Sequence, residues 1–387
     1  MEAVIKLSQK SQKIDPSPIR AMAGKASKLD DVVSFAIGEP DFTTPPNIVN
    51  ACIEALKRGE THYAPNKGIE LLRRAVSDFY AKRGLSYDPE EEVIVTNGGL
   101  EALLLGMSAT LDPGDEVIIS NPYWSNHREQ IKYLDAIPVE VPVYEKDGFA
   151  FDPENLKQAI TAKTRMIVLN YPSNPTGGVA SKEVLTAIAE LAIEHDLVIL
   201  SDDVYECFCY DGEPFSIASL PGMKERTIIC NSFSKSYAMT GWRVGFACAH
   251  EPVMKMMVKL QEDIVSCIHT PSQFAAAEAL NGTREYLDEM IARYTARRRL
   301  LVDGLNRIDG ISCIEPAGAF YAFANITGTG LSSVDFAERL LDSKHVVVVP
   351  GSGFGSAGEG FIRLSYATSE EAIEEGLARM QAFVKEI

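Results

Sequence analysis

No stretch of this sequence approaches the roughly 20 consecutive apolar residues that a membrane span needs, so no spanning helix is expected. The first residues, Met1-Glu2-Ala3-Val4-Ile5-Lys6, lack a long apolar core, and no signal peptide is expected. Basic residues are in deficit: 37 Lys and Arg stand against 54 Asp and Glu, a net charge of −17. That balance argues against nucleic acid as a partner, because phosphates need a basic face. Seven cysteines form no Cys-x-x-Cys pair, and Cys207 and Cys209 lack a second pair to complete a zinc site. The thiols read as reduced, mostly apolar-packed groups; no metal site is expected, and a cytoplasmic enzyme fits best. Internal repeats, low-complexity tracts and phosphate-loop lysine motifs are missing as well.

What is present is an ordinary folded composition, 46% apolar and 24% charged over 387 residues. That length suits one large domain and a smaller one. Short apolar runs alternate with helical patterns from 93 to 247: 93–96, 116–119, 165–169, 197–200, 227–230 and 244–247 read as strands. The alternation predicts an α/β fold with a mainly parallel sheet. A helical stretch over 251–308 follows, broken near Thr270-Pro271, with Arg297, Arg298 and Arg299 read as a solvated basic face. Runs at 319–323, 346–349 and 361–367 read as further strands.

Chemistry concentrates in Asn231-Ser232-Phe233-Ser234-Lys235-Ser236-Tyr237-Ala238-Met239-Thr240-Gly241-Trp242-Arg243. A lone lysine is ordinarily a solvated charge. This one follows an apolar run and has Ser232 before it and Arg243 after it. A hydroxyl and a guanidinium are what a phosphate binds, one as neutral donor and one as fixed cation. A lysine beside a bound phosphate suggests covalent capture of pyridoxal phosphate, for which the amine must shed its proton. A second phosphate signal lies upstream. The strand 93–96 runs into Asn97-Gly98-Gly99-Leu100 and then a long apolar helix. Glycine lets backbone approach an anion, and the helix start favours negative charge.

The lysine segment resembles the motif of the class I/II aminotransferases, the pyridoxal-phosphate enzymes that include aspartate and aromatic aminotransferases. The resemblance runs over nearly the whole chain. It implies the aspartate-aminotransferase fold: an N-terminal arm and part of a small domain over 1–45, a large cofactor domain over 46–284, and the rest of an α+β small domain over 285–387. It implies that Lys235 holds the cofactor and is the catalytic residue. Ser232, Arg243 and the Gly99 and Leu100 amides would hold the phosphate. Trp124, after Asn121-Pro122-Tyr123, would stack on the pyridine ring. Asn174, in Asn170-Tyr171-Pro172-Ser173-Asn174-Pro175-Thr176-Gly177-Gly178, would reach the phenolate oxygen and the substrate carboxylate. Asp202 would face the pyridine nitrogen and keep the ring an electron sink, with Tyr205 on the phenolate side. Gly38 and Arg363 would bind the substrate carboxylate, Arg363 as a planar bidentate clamp. Tyr63 would cross a homodimer interface to the neighbouring phosphate.

Two positions depart from the family pattern. Some bacterial aspartate aminotransferases have lysine where Leu100 stands, which puts a dedicated aspartate preference in doubt. Asp203 replaces the usual Glu, without expected effect on Asp202. The implied activity is transfer of the amino group of an L-amino acid (aspartate, aromatic or alanine-like) to a 2-oxo acid such as 2-oxoglutarate. A C–S β-lyase on the same scaffold is the main alternative. A non-catalytic regulator would carry an added DNA-binding domain, for which the chain's start leaves no expected room. Gly353-Phe354-Gly355-Ser356-Ala357-Gly358 matches a dinucleotide-binding pattern, but a strand rather than a helix is expected after it, so no phosphate cradle forms there.

Overall fold

The computed structural model describes residues 5–212 and 214–387. After the short strand β1 (Val33–Ser34) come the strands of the central sheet. These are β2 (Val93–Thr96), β3 (Glu116–Asn121), β4 (Ile137–Pro142), β5 (Thr164–Leu169), β6 (Val198–Asp202), β7 (Thr227–Ser232) and β8 (Gly245–Cys248). Their order is β2-β8-β7-β6-β5-β3-β4. All neighbours are parallel except β8, which runs antiparallel to both β2 and β7. The expected α/β fold with a mainly parallel sheet is therefore observed.

Burial on both faces explains why β5, β6 and β7 are continuous apolar runs. Side chains alternate across a strand, so Ile199 and Leu200 of β6 enter opposite cores. Ile199 joins Leu185 and Ile188 of the helix Lys182–Glu194. Leu200 joins Leu103 and Met107 of the helix Gly99–Thr110. Strand β4, absent from the sequence expectation, carries Pro138 and Pro142 and forms the sheet edge. Only an edge tolerates the lost donors.

The C-terminal strands are β9 (Tyr321–Asn325), β10 (Val346–Val347), β11 (Val349–Pro350) and β12 (Phe361–Ser365). β11, β12 and β9 form an antiparallel sheet in that order. β10 pairs in parallel with β1, so an N-terminal strand completes a C-terminal layer.

Several expectations need adjustment. The stretch 251–308 is three helices, Glu251–Ile264, Thr270–Asn281 and Glu285–Leu305, the second break falling at Gly282. The run 346–349 is two short strands. Residues 351–358 form two 3-10 turns before β12. Arg297 and Arg298 are not a solvated face but are buried. Arg297 pairs with Asp41 at 2.8 Å, and Arg298 with Glu315 at 3.0 Å while donating to the Pro316 carbonyl. Their chemistry was hidden because the carboxylates that neutralise them come from distant segments.

The two-sided core predicts a large effect of truncation in β6. Leu200→Ala should cost about 2–5 kcal/mol of stability through the cavity it leaves. Denaturant unfolding of the two proteins measures this difference.

Candidate active site

Every parallel strand of the central sheet points its C-terminal end to one edge, where loops that bind ligands gather in open α/β sheets. Asp202 ends β6, Ser232 ends β7, and Trp124 and Asn174 follow β3 and β5. The reversed strand β8 starts at this edge, which brings Arg243 there, just ahead of Gly245. One topological constraint thus collects residues more than a hundred positions apart.

The phosphate-type cup is built first from backbone. Gly98 adopts φ +77, and a Cβ there would lie 2.7 Å from Arg243 Nη2. A Cβ on Gly99 would touch Ser232 Cβ at 3.4 Å. The start of the helix Gly99–Thr110, the Ser232 side chain and the Arg243 guanidinium therefore lie close together. Arg243 is exposed, donates to the Thr240 carbonyl at 2.9 Å and has no ion-pair partner among the described residues. Leu100 contributes to the same first helical turn, its carbonyl accepting from Gln130 Nε2 at 2.9 Å.

Asp202 is buried and meets His127 Nε2 at 2.9 Å. His127 also packs edge-on against Trp124, with ring centroids 5.1 Å apart. His127 was not anticipated. Its one sequence signal is its place three residues after Trp124 on the helix Ser125–Tyr133, and nothing in the sequence ties it to Asp202. Asp203 turns to another network, accepting from Ser201 Oγ at 2.5 Å. Burial, with Glu206 nearby, raises its pKa well above the carboxylate norm.

Lys235 follows β7 on a single helical turn, and its Nζ donates to the Gly38 carbonyl at 2.6 Å. Burial lowers its pKa to about 8, with Arg243 and Arg363 adding to the effect and Glu39 and Asp202 opposing it. A neutral amine is thus available near physiological pH, as a nucleophile or proton acceptor requires.

Arg363, in β12, is completely buried. Its Nη1 donates to Asn174 Oδ1 at 3.1 Å and its Nη2 to the Ala36 carbonyl. It sits 4.7 Å from the Tyr321 ring and 5.2 Å from the Phe354 ring. Among the described residues no carboxylate pairs with it, and its Nε has no acceptor. Burial pushes its pKa below the usual guanidinium value. Tyr205 meets Tyr321 hydroxyl to hydroxyl at 2.6 Å, and burial raises the Tyr205 pKa well above the phenol norm. A Cβ on Gly38 would collide with that Tyr321 hydroxyl.

Eleven of the twelve expected positions, then, gather at or against this edge. Tyr63 does not: it is 90% exposed on a loop and lines a groove with His62 and residues 267–271.

Residues 30–380 match the family model for aminotransferase class I and II. The chain belongs to that family. This aminotransferase is 44% identical over 384 residues to the aromatic-amino-acid aminotransferase 2 of Thermococcus litoralis, covering 98% of each chain. It is equally identical, with the same coverage, to an aspartate aminotransferase of Pyrococcus abyssi. A solved aspartate aminotransferase of Thermus thermophilus with maleate superposes with a TM-score of 0.94 at 41% identity, covering 98% of this chain and 100% of that one. The enzyme is a pyridoxal-phosphate-dependent transaminase, as the family assignment indicates. Among the described residues no helix is long and apolar enough to cross a membrane.

The lowered lysine pKa makes a direct prediction. Covalent capture of pyridoxal phosphate by cofactor-free protein should accelerate with pH and level off above about 8, because the neutral amine is populated there. An inflection near the ordinary lysine value, followed by absorbance, would contradict the buried environment.

Proposed function

We propose that this aminotransferase moves the amino group of an L-amino acid to 2-oxoglutarate, using the edge described above as its active site. The observation that carries this reading is the pairing of two abnormal cations. Among the described residues Arg363 is buried without a counter-ion, and Lys235 is poised near its neutral form.

The residues fit the cofactor. The Gly98–Gly99 cradle, Ser232 and Arg243 present amides, a hydroxyl and an unpaired cation to a phosphate. Asp202, oriented by His127, offers a carboxylate to a protonated pyridine nitrogen. Trp124 would supply a ring to stack on it, and Asn174 and Tyr205 would serve its phenolate oxygen. Pyridoxal phosphate, when bound there, supplies the electron sink that lets the substrate α-carbon release its proton. Arg363 binds the α-carboxylate through two parallel donors and fixes the substrate's orientation, with the Gly38 backbone beside it. Lys235 removes the α-proton as general base and returns a proton as general acid.

Leu100 places an apolar side chain where a cation would aid an acidic substrate. This counts against a dedicated aspartate preference and favours aromatic donors over aspartate. The enzyme works as a homodimer, Tyr63 reaching the phosphate of the neighbouring site. Exposed Tyr63, Ile53, Leu56 and Leu71 support this. The domain division at about 46 and 284 follows the strand pairing, β1 with β10 on one side and the seven-stranded sheet on the other. The location is cytoplasmic.

A panel of L-amino acids with 2-oxoglutarate tests the reading. Glutamate should form, with a higher kcat/KM for phenylalanine or tyrosine than for aspartate. Pyruvate and thiol from cysteine conjugates, without glutamate, would mark a lyase instead. Lys235→Ala should abolish turnover. Arg363→Ala should raise KM and lower kcat, and an unchanged kcat/KM would remove Arg363 from the site.

A further inference from the structure

Residues 36–42 cross from the small sheet to the helix Pro46–Lys57 without regular structure. Ladder-type backbone bonds end at Phe35, whose carbonyl accepts from Ser365 N at 2.8 Å. Beyond that point, side chains of other elements grip the strap. Arg363 holds the Ala36 carbonyl, Lys235 the Gly38 carbonyl, and Thr240 the Glu39 carboxylate. The last grip is Arg297 Nη1 on Asp41 Oδ1, at 2.8 Å.

These grips differ in kind. Lys235 and Arg363 are the groups that must turn to cofactor and substrate. Arg297 is not. It is buried on the 21-residue helix Glu285–Leu305, beside the rings of Phe42 and Tyr294 at 5.6 and 5.8 Å. That helix is locked into the core through Leu301, Val302 and Leu305. The ion pair is the far anchor of a strap held at its start by the ladder bonds of Phe35 and in between by Arg363, Lys235 and Thr240.

We infer that Arg297 is a positioning residue for substrate carboxylate binding. Through Asp41 it fixes the strap so that the Ala36 carbonyl orients the Arg363 guanidinium. A planar fork needs its plane set to receive a carboxylate with two parallel bonds. With the anchor cut, the Ala36 carbonyl shifts and Arg363 loses one of its two orienting acceptors, Asn174 Oδ1 alone remaining. This inference rests on Arg363 being the carboxylate clamp.

The test uses holoenzyme variants Asp41→Asn, Arg297→Met, the double variant and Arg297→Lys. Steady-state kinetics with phenylalanine and 2-oxoglutarate is combined with calorimetric Kd values for the non-reacting carboxylates succinate and 3-phenylpropionate. Asp41→Asn and Arg297→Met should each raise KM and Kd about tenfold while kcat changes less than about threefold, as expected of a displaced binding group. The double variant should be no worse than either single one, because the two residues act as a unit. Arg297→Lys should recover part of the loss. Should Arg297→Met fail to fold, Asp41→Asn, altered at a half-buried side chain, decides the matter alone. Unchanged KM and Kd in Asp41→Asn, or fully additive losses in the double variant, would overturn the inference. Arg363→Lys separates the two readings. If it leaves KM and Kd unchanged, the clamp assignment fails; if it raises both and Asp41→Asn raises neither, only the role of Arg297 fails.

Discussion

A guanidinium buried without a counter-ion among the described residues is the constraint around which this molecule is arranged. Removing a cation from water is costly unless hydrogen bonds and opposite charge offset the loss. At Arg363 the fold supplies two neutral acceptors and two aromatic faces, and withholds a carboxylate. What is withheld matches the proposed ligand, a free carboxylate. Lys235 carries a milder form of the same tension, since burial and the same arginine favour its neutral form.

The sheet makes this arrangement possible. A parallel sheet gathers the C-terminal ends of its strands on one edge, where helix starts and loop amides favour anions. In this chain that edge carries Asp202, Lys235 and the Gly98–Gly99 turn together. Reversing β8 adds Arg243, which a uniformly parallel order would deliver to the opposite edge. The aromatic pair Tyr205–Tyr321 then links the large sheet to β9, so both units share one polar seam.

Much of this was readable in the sequence. The segment 231–243 and the glycines at 98 and 99 sit in local patterns whose chemistry needs no knowledge of distant contacts, and Asn174 was legible through the family resemblance. The buried strands were visible because burial on both faces makes them continuous apolar runs. What stayed hidden depends on long-range pairing. His127 lies on a helix with many polar neighbours, and only the fold sets it against Asp202. Arg297 and Arg298 looked like a charged surface because their carboxylate partners lie outside their own helix, Asp41 and Asp211 far away in the chain. Strand β4 was masked by its two prolines, which mark an edge position rather than an absence of strand.

The pairing of Val33 with Val346 bears on how the chain reaches its final state. Contacts so distant in sequence require closing a very long loop, and such topologies fold slowly. During synthesis the amino-terminal strand emerges from the ribosome long before its mate. The central sheet can assemble first, leaving that early segment unpaired until the last part of the polypeptide has been made.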